Sequence, residues 1–425
     1  MRKLIAALAV GFVSLLFFAM GSAEQEAPEI AATNWQPIGP NGGDVRGIAF
    51  NPQNKNEIYA VIFSNPGQVY RSTNAGSNWT RIAILDDYTY DVVVDPTNPS
   101  VVYVLGDSCV FKSTDRGLTW TLHYLPYYCY AWYGQIDISP INPSILYVAG
   151  RRYYDINRNK TCMAIFKSTD GGQTWSCKDL AASGSTYGQA SCLAISKPNP
   201  NIVYVGGYYN NSSGWHSALY KSEDGGGNYS SKTKGIQYDP YSIVCHPTDP
   251  NKVYVATYWY IYRSTNGGNN WQKNSGAAYG YALAIDSSNP NVLYAGYDKA
   301  IFKSNDGGFN WIEHKKGLYG TCNRLLVNSS KVYFGSTAGI FRSTNSGVVW
   351  TSVNTGIKSP DVPAIAVAPS SPNTIYAEAR ANGFFKSTNS GSSWRRMPYF
   401  ERCDAVLRIA VKSTDAKSVY ILAGG

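Results

Sequence analysis

The sequence has few of the residues and motifs that carry catalysis or bind cofactors. Its 425 residues include only four histidines, and neither H-E-x-x-H nor G-x-S-x-G occurs, which argues against a zincin or a common serine hydrolase. It also lacks nucleotide-binding glycine loops and any C-x-x-C pair. We therefore predict no metal site and no cofactor.

Charge and hydrophobic runs argue against two further classes. The formal net charge is +9, but the basic residues are scattered and no run of five like charges occurs, so we predict no nucleic-acid partner. After Met20 no apolar run is long enough to cross a bilayer. The mature chain is therefore expected to have no membrane span.

Residues 1–23 are predicted to be a secretory signal peptide. A basic pair precedes an apolar run over residues 4–20, and residues 21–23 are small, as a cleavage site requires. An uncleaved membrane anchor is the alternative, although the run is short for a span. We expect a secreted, extracellular or cell-surface protein, with residues 24–33 as a short linker.

One ten-residue motif occurs eight times. It reads YRSTNAGSNW at 70–79 and FKSTDGGQTW at 166–175, and the other copies span residues 111–120, 220–229, 262–271, 302–311, 341–350 and 385–394. A period of about 40–55 residues that contains only short strand patterns and Pro/Asn/Gly turns is typical of propeller blades. We predict an all-β propeller of four-stranded blades, eight or nine in number, over residues 34–425.

The constant positions of the motif predict a tight turn rather than a catalytic site. Asp and Asn side chains accept hydrogen bonds from nearby backbone N–H groups, and the glycine two residues later permits a positive φ. An amide fills half of the acid positions, which a catalytic carboxylate or metal ligand would not tolerate. The eight positions are Asn74, Asp115, Asp170, Asp224, Asn266, Asp306, Asn345 and Asn389.

The pattern S-x-D-x-G-x-x-W resembles the Asp-box, or BNR repeat, of several propeller families. These include sialidases, xyloglucan-cleaving glycoside hydrolases, sortilin-type receptors and photosystem II assembly factors. The resemblance covers nearly the whole mature chain. It implies the propeller fold but no particular function, because these families share only the turn.

The opening segment NWQPIGPNGGDVRGIAFNP is similar to the start of the xyloglucan-cleaving enzymes. In that family the next segment supplies a catalytic aspartate in a T-D-x-G-G context, whereas no acid occurs here between Tyr59 and Ser72. The R-I-P segment of sialidases is also missing. Three arginines in predicted first strands could approach the channel: Arg46, Arg324 and Arg408. Four acids near the aromatic end are interpreted as solvated or capping residues: Asp44, Asp137, Asp155 and Asp298.

The two ends of the chain are expected to share a closing blade. Residues 34–38 resemble a fourth strand, and residues 406–412 and 418–424 resemble the first two strands of one further blade. Such sharing is how propellers avoid open edges. The third strand of this blade is missing, so we expect it to be incomplete, with further domains possible beyond Gly425.

Tyrosine is unusually frequent, with 34 residues beside 11 tryptophans. Most fall in second turns and blade connections, which lie at one end of a four-stranded meander. Aromatics with polar tips suit sugars or peptide segments, and packing between blades is the alternative interpretation. The candidate binding face comprises Tyr128, Tyr130, Trp132, Arg151, Arg152, Tyr153, Tyr154, Tyr208, Tyr209, Trp215, Tyr258, Trp259 and Tyr260.

Cysteine usage allows disulfides in an exported chain. Cys162 and Cys177 flank one motif and would face each other across a hairpin, so they either form a bridge or remain free. Cys192, Cys245 and Cys322 lie in apolar runs and are expected to be buried hydrophobic residues.

These observations favour an exported, non-catalytic propeller that binds an extracellular glycan or protein through its Tyr/Trp-rich face. Two alternatives remain open. One is a diverged glycoside hydrolase of the xyloglucanase or sialidase type, and the other is an assembly or sorting factor.

Overall fold

The pattern of apolar residues in each repeat determines how its strands are buried. The computed structural model describes residues 42–155, 160–180, 185–274, 280–355, 364–379, 383–397 and 405–424. Second strands such as Ile58–Ile62 are buried along their whole length, whereas fourth strands such as Thr121–Tyr124 are largely exposed. These repeats are therefore buried at the second strand and exposed to solvent at the fourth, outer strand.

The first four sheets are antiparallel meanders in chain order. Blade 1 consists of β1 (Val45–Phe50), β2 (Ile58–Ile62), β3 (Gly67–Ser72) and β4 (Thr80–Leu85). Blade 2 consists of β5 (Asp91–Val94), β6 (Val102–Leu105), β7 (Cys109–Ser113) and β8 (Thr121–Tyr124). Blade 3 consists of β9 (Cys129–Tyr130), β10 (Ile136–Ile138), β11 (Leu146–Asp155), β12 (Lys160–Ser168) and β13 (Ser176–Asp179), with β9 paired to β11. Blade 4 consists of β14 (Tyr187–Ile195), β15 (Val203–Asn211), β16 (Gly214–Ser222) and β17 (Ser230–Ser231).

The remaining sheets follow the same order. Blade 5 consists of β18 (Pro240–Cys245), β19 (Val253–Thr257), β20 (Ile261–Ser264) and β21 (Gln272–Lys273). Blade 6 consists of β22 (Ala282–Ile285), β23 (Leu293–Gly296), β24 (Ile301–Ser304) and β25 (Ile312–His314). Blade 7 consists of β26 (Cys322–Asn328), β27 (Lys331–Ser336), β28 (Gly339–Ser343) and β29 (Thr351–Ser352). Sheet 8 consists of β30 (Ala364–Ala368), β31 (Ser371–Ala379), β32 (Gly383–Ser387) and β33 (Arg395–Arg396), and sheet 9 of β34 (Ala405–Val411) and β35 (Val419–Gly424).

The repeated motif forms the turn between the third and fourth strands. In blade 2, Ser113 Oγ donates to Asp115 Oδ1 at 2.7 Å and accepts the N–H of Gly117 at 2.7 Å. Asp115 Oδ1 also accepts the N–H of Thr119 at 2.9 Å. Gly117 has φ 88°, a value that glycine adopts without strain. The motif with asparagine forms the same bonds, so the acid position acts as a hydrogen-bond acceptor in the turn.

A buried tyrosine in the second strand links each of several blades to the next motif turn. Tyr103 Oη of blade 2 donates to Gly171 O of blade 3 at 3.1 Å, and Tyr147 Oη of blade 3 donates to Gly225 O of blade 4 at 2.7 Å. Lys112 Nζ adds a second bond to Gly171 O at 2.8 Å. These tyrosines pack between blades, so the packing interpretation holds for part of the tyrosine excess.

The ring closes between blade 7 and blade 1. Strand β26 packs against β1, and Tyr333 Oη donates to Ala75 O at 3.1 Å in the same way as the tyrosines of other blades. Trp79 Nε1 donates to Val353 O at 2.8 Å, and one apolar cluster combines Val45 with Tyr333 and Val353. The ring therefore contains seven blades over residues 45–355.

Sheets 8 and 9 lie outside this ring. The eight larger sheets and the two-stranded ninth match the predicted eight or nine blades in number, and seven of them form the closed ring. However, β1 and β26 are direct neighbours, so the expectation of a closing blade shared by the two chain ends is wrong for the ring. Strand β30 packs against β34 instead, and Arg396 stacks on Tyr319 of the ring at 4.0 Å.

The predicted bridge between Cys162 and Cys177 is wrong. Cys177 pairs with Phe166 of β12, and Phe166 lies four residues along that strand from Cys162. The Cα atoms of the two cysteines are therefore roughly 13 Å apart, too far for a disulfide. Both are free thiols, as are the other described cysteines. Cys192 and Cys322 are fully buried, and Cys245 is partly buried.

Several predictions concern residues outside the described part of the chain. They include the signal peptide, the linker over residues 24–33, and the strand-like residues 34–38. Within the described ranges, no helix is long and apolar enough to span a bilayer.

Candidate functional site

A cavity of about 450 Å³ lies on the ring axis, where residues from all seven blades meet. We call it the axial cavity. Its lining residues lie in or just before the first strand of each blade, apart from Tyr208 in the second strand of blade 4. They are Arg46, Tyr90, Trp132, Tyr133, Gly134, Gln135, Tyr187, Gln189, Ser191, Tyr208, Tyr241, Tyr281, Thr321, Cys322, Asn323 and Arg324.

β-Bulges in the first strands place four of these side chains. The pairing register skips Arg46 in blade 1, Ser191 in blade 4, Tyr241 in blade 5 and Asn323 in blade 7. A bulge adds one unpaired residue and changes the direction of its side chain. All four skipped residues line the axial cavity, so the bulges are the local device that builds it.

Seven aromatic side chains form a large part of the wall. Tyr187 stacks on Tyr208 with ring centroids 6.1 Å apart, and Tyr241 meets Tyr281 edge-on at 5.2 Å. Burial raises the pKa values of Tyr208, Tyr241 and Tyr281 above their usual range. These phenols therefore stay protonated near neutral pH, where they present hydroxyl groups that both donate and accept hydrogen bonds.

The two arginines that line the cavity are already paired. Arg46 Nη2 lies 2.8 Å from Asp44 Oδ2, and its guanidinium stacks on the rings of Phe63 and Tyr133 at 4.8 and 5.0 Å. Arg324 Nη2 lies 2.7 Å from Asp91 Oδ2, which joins blade 7 to blade 2 across blade 1. The lining therefore contains two neutralised arginines and no carboxylate.

Among the acids considered from sequence, Asp44, Asp137 and Asp298 lie in three different environments. Asp44 accepts a hydrogen bond from Asn323 at 2.8 Å besides its ion pair, and Asp298 accepts one from Thr321 Oγ1 at 3.2 Å. Asp137 accepts the N–H of Ile195 in blade 4 at 3.2 Å. Burial raises the pKa of Asp137 to about 6, against the opposing effect of its N–H donors. The side chain of Asp155, like that of Arg408, is outside the described residues.

Two further acids, Asp87 and Asp107, lie next to each other near the cavity wall. Asp87 Oδ2 accepts the N–H of Asp107 at 2.9 Å and the thiol of Cys109 at 3.2 Å. Burial, together with the neighbouring Asp87 carboxylate, raises the pKa of Asp107. The raised pKa makes the Asp107 carboxyl a candidate proton donor.

The predicted face is only partly the wall of the cavity. Trp132 and Tyr208 line it directly, and Arg151, Trp215 and Tyr258 contact lining aromatics. The rest lie in or beside strands of blades 3, 4 and 5: Tyr128, Tyr130, Arg152, Tyr153, Tyr154, Tyr209, Trp259 and Tyr260. Arg152, for example, forms an ion pair with Asp179 at the partly exposed edge of blade 3.

Five tyrosines that line the cavity were not among the predicted site residues: Tyr90, Tyr133, Tyr187, Tyr241 and Tyr281. Each lies at or shortly before a buried first strand. This position in the sequence could have identified them as lining residues, since the starts of first strands converge on the axis of a propeller. Gln135, Gln189 and Asn323 had no comparable signal.

Metal binding has no support in the described ranges, where no group of three or more His, Cys, Asp or Glu side chains is placed to hold an ion.

Comparison with known proteins agrees with this architecture. A family model described as Sortilin-Vps10 (sortilin, neurotensin receptor 3) matches residues 67–213. The GH74 xyloglucanase from Xanthomonas campestris superposes with a TM-score of 0.59 at 15% identity, over 89% of this chain and 71% of that chain. The chain is an Asp-box β-propeller. YCF48 from Cyanidioschyzon merolae, with a TM-score of 0.53 and 13% identity over 73% of this chain and 98% of that one, shares the fold.

Curated relatives of this Asp-box propeller include xyloglucanases. The xyloglucanase of Paenibacillus sp is 27% identical over 307 residues, which cover 65% of this chain and 25% of that enzyme. Xyloglucanase Xgh74A of Acetivibrio thermocellus is 25% identical over 268 residues, which cover 50% of this chain and 30% of that enzyme. The chain thus spans less than a third of the length of these relatives, and no single subfamily matches at high identity.

Proposed function

We propose that this protein is an extracellular, non-catalytic propeller that binds a segment of glycan in its axial cavity. The proposal is supported by one observation: six tyrosines and one tryptophan, from blades 2 to 6, converge on the axial cavity. The C–H faces of sugar rings pack on aromatic faces, while tyrosine hydroxyls and side-chain amides bond to sugar hydroxyls. The volume of about 450 Å³ falls within the range of small-molecule sites.

The charges at the cavity favour binding over cleavage. Glycoside hydrolysis uses two carboxyl groups on either side of the scissile bond, one of them able to protonate the leaving group. Two carboxylates next to the cavity, Asp44 and Asp91, are each held by a lining arginine. The oxygens of these carboxylates already accept hydrogen bonds from a guanidinium, which leaves them poorly placed to donate a proton to a leaving group.

Hydrolysis of a glycan is the second candidate function. It is favoured by the sequence similarity to xyloglucanases and by the acid pair Asp87 and Asp107. In this alternative, Asp107, whose pKa is raised by burial, would serve as the acid. A peptide-binding role as an assembly or sorting factor is favoured only by resemblance of fold, for example to YCF48 bound to D1 peptide, with a TM-score of 0.51 at 16% identity.

A glycan array followed by titration calorimetry tests the proposal. The array carries neutral and acidic oligosaccharides, and the oligosaccharide bound most tightly is then titrated into wild type, Tyr241→Ala and Trp259→Ala. We expect about tenfold weaker binding for Tyr241→Ala, since loss of an aromatic anchor in an interface costs more than about 1 kcal/mol. The matched control Trp259→Ala removes an exposed aromatic of blade 5 that does not line the cavity, and it should bind as wild type.

Two results would contradict the proposal. Release of reducing ends, lost in Asp107→Asn, would establish the hydrolase instead. Absence of glycan binding together with capture of a peptide would establish the sorting or assembly role.

A further inference from the structure

Arg151 lies behind the aromatic wall of the axial cavity and, unlike the two arginines that line the cavity, has no carboxylate partner among the described residues. It lies on β11 with only 7% of its surface exposed. Arg46 and Arg324 face Asp44 and Asp91, whereas Arg151 forms no ion pair with any described carboxylate. Asp107 interacts with it electrostatically but at no bonding distance. A buried cation without an anionic partner is costly and calls for an explanation.

Aromatic rings hold the Arg151 guanidinium in one place. Its central carbon lies 4.5 Å from the ring centroid of Trp132, 5.2 Å from that of Tyr153 and 5.7 Å from that of Tyr187. Trp132 and Tyr187 also line the axial cavity. The charge is therefore fixed directly behind the cavity wall by cation–π contacts, which stabilise it without neutralising it.

One edge of the guanidinium is left for a ligand. Nη1 donates to Tyr187 Oη at 2.9 Å. Nε is buried without a hydrogen-bond partner among the described residues, and none of these residues accepts a hydrogen bond from Nη2. The Nε–Nη2 edge is the fork that binds a planar oxyanion through two parallel N–H donors.

We propose that the axial cavity binds an acidic glycan, whose carboxylate or sulfate group pairs with the Nε–Nη2 edge of Arg151. The inference rests on the proposed function and makes it more specific. The tyrosines pack against the sugar rings, and Arg151 selects the anionic substituent. The ligand oxygens satisfy the buried Nε and supply the counter-charge that no described carboxylate provides at bonding distance.

Matched pairs of oligosaccharides test this inference by calorimetry. Each pair has one backbone in a neutral form and in a form oxidised to the C6 carboxylate: glucan and glucuronan, galactan and galacturonan, mannan and mannuronan. A C6-sulfated glucan separates sulfate from carboxylate as the source of the charge. At least one acidic member should bind wild type about 10–100-fold more tightly than its neutral partner, the range expected for charge-assisted hydrogen bonds.

The arginine variants locate the effect. Arg151→Gln should reduce binding of the acidic sugar about 10–100-fold and leave the neutral sugar almost unchanged. Arg151→Lys keeps the charge without the fork and should recover only part of the affinity. Arg152→Gln is the matched control, since it makes the same charge change one residue away in an arginine that already pairs with Asp179.

The outcomes distinguish this inference from the function on which it rests. Equal affinity of wild type for both members of every pair would overturn the acidic-glycan inference alone, and this comparison does not depend on how the variants fold. An equal loss in Arg151→Gln and Arg152→Gln would also overturn it. Binding of neither member of any pair would overturn the proposed glycan-binding function and the inference together.

Discussion

Asp115 shows how one side chain organises a turn in this propeller. Its carboxylate accepts the N–H groups of Leu118 and Thr119 and the hydroxyls of Ser113 and Thr119. These hydrogen bonds, led by those from Thr119, lower the pKa of Asp115 to about 2. Asparagine in the equivalent position of other blades accepts the same backbone N–H, so the charge itself is dispensable in the turn.

Acid unfolding tests this account of the turn. A carboxyl group whose pKa is lowered by folding stabilises the protein above its ordinary pKa, and that contribution is lost as the pH falls from about 4 to about 2. Asp115→Asn should leave the free energy of unfolding at pH 7 nearly unchanged and should lose less stability than wild type between pH 4 and pH 2. Urea midpoints at pH 7, 4, 3 and 2 measure both effects, and identical pH dependence in the two proteins would contradict the account.

At the scale of the blade, neighbouring sheets are joined by pairs of side chains as well as by apolar packing. Tyr147 and Lys167 of blade 3 both donate to Gly225 O of blade 4, at 2.7 Å each. The lysine ammonium also lies 5.7 Å from the centre of the tyrosine ring. Together, the two donors fix the position of the next motif turn.

Tyr147→Phe removes one of these two donors without changing the ring. We expect the free energy of unfolding to fall by about 1 kcal/mol, the usual net value of a buried hydrogen bond. Urea denaturation measures the change, and Tyr124→Phe, which alters an exposed tyrosine, is the control. An equal effect of both substitutions would show that the blade-to-blade bond contributes nothing.

The sequence predicted the strand order and the turns because these depend on residues close together in the chain. The Ser-x-Asp/Asn-x-Gly spacing determines the turn, and the apolar runs determine the strands. The bulges at Arg46, Ser191, Tyr241 and Asn323 were not predictable in this way, since a bulge is defined by the register with the partner strand. For the same reason, the predicted binding face included exposed tyrosines of blades 3 and 4. It omitted the tyrosines at the starts of first strands, which line the axial cavity.

At the scale of the whole molecule, packing decides how many repeats form the ring. Eight motif copies suggested a ring of at least eight blades, but β1 accepts β26 as its neighbour and the ring closes with seven. Repeats 1 to 7 and sheet 8 carry the same local signals, so no local pattern identifies the closing pair. The decisive contacts, such as Trp79 with Val353, join residues that are far apart in the sequence.

Binding by a shortened chain is the measurement that tests the central claim most directly. All residues that line the axial cavity fall between Arg46 and Arg324, within the closed ring. A chain that lacks residues 364–425 should therefore unfold cooperatively and bind the array-selected oligosaccharide with the affinity of the full chain. Loss of binding by a shortened chain that still folds would contradict the account, since it would place the site at sheets 8 and 9.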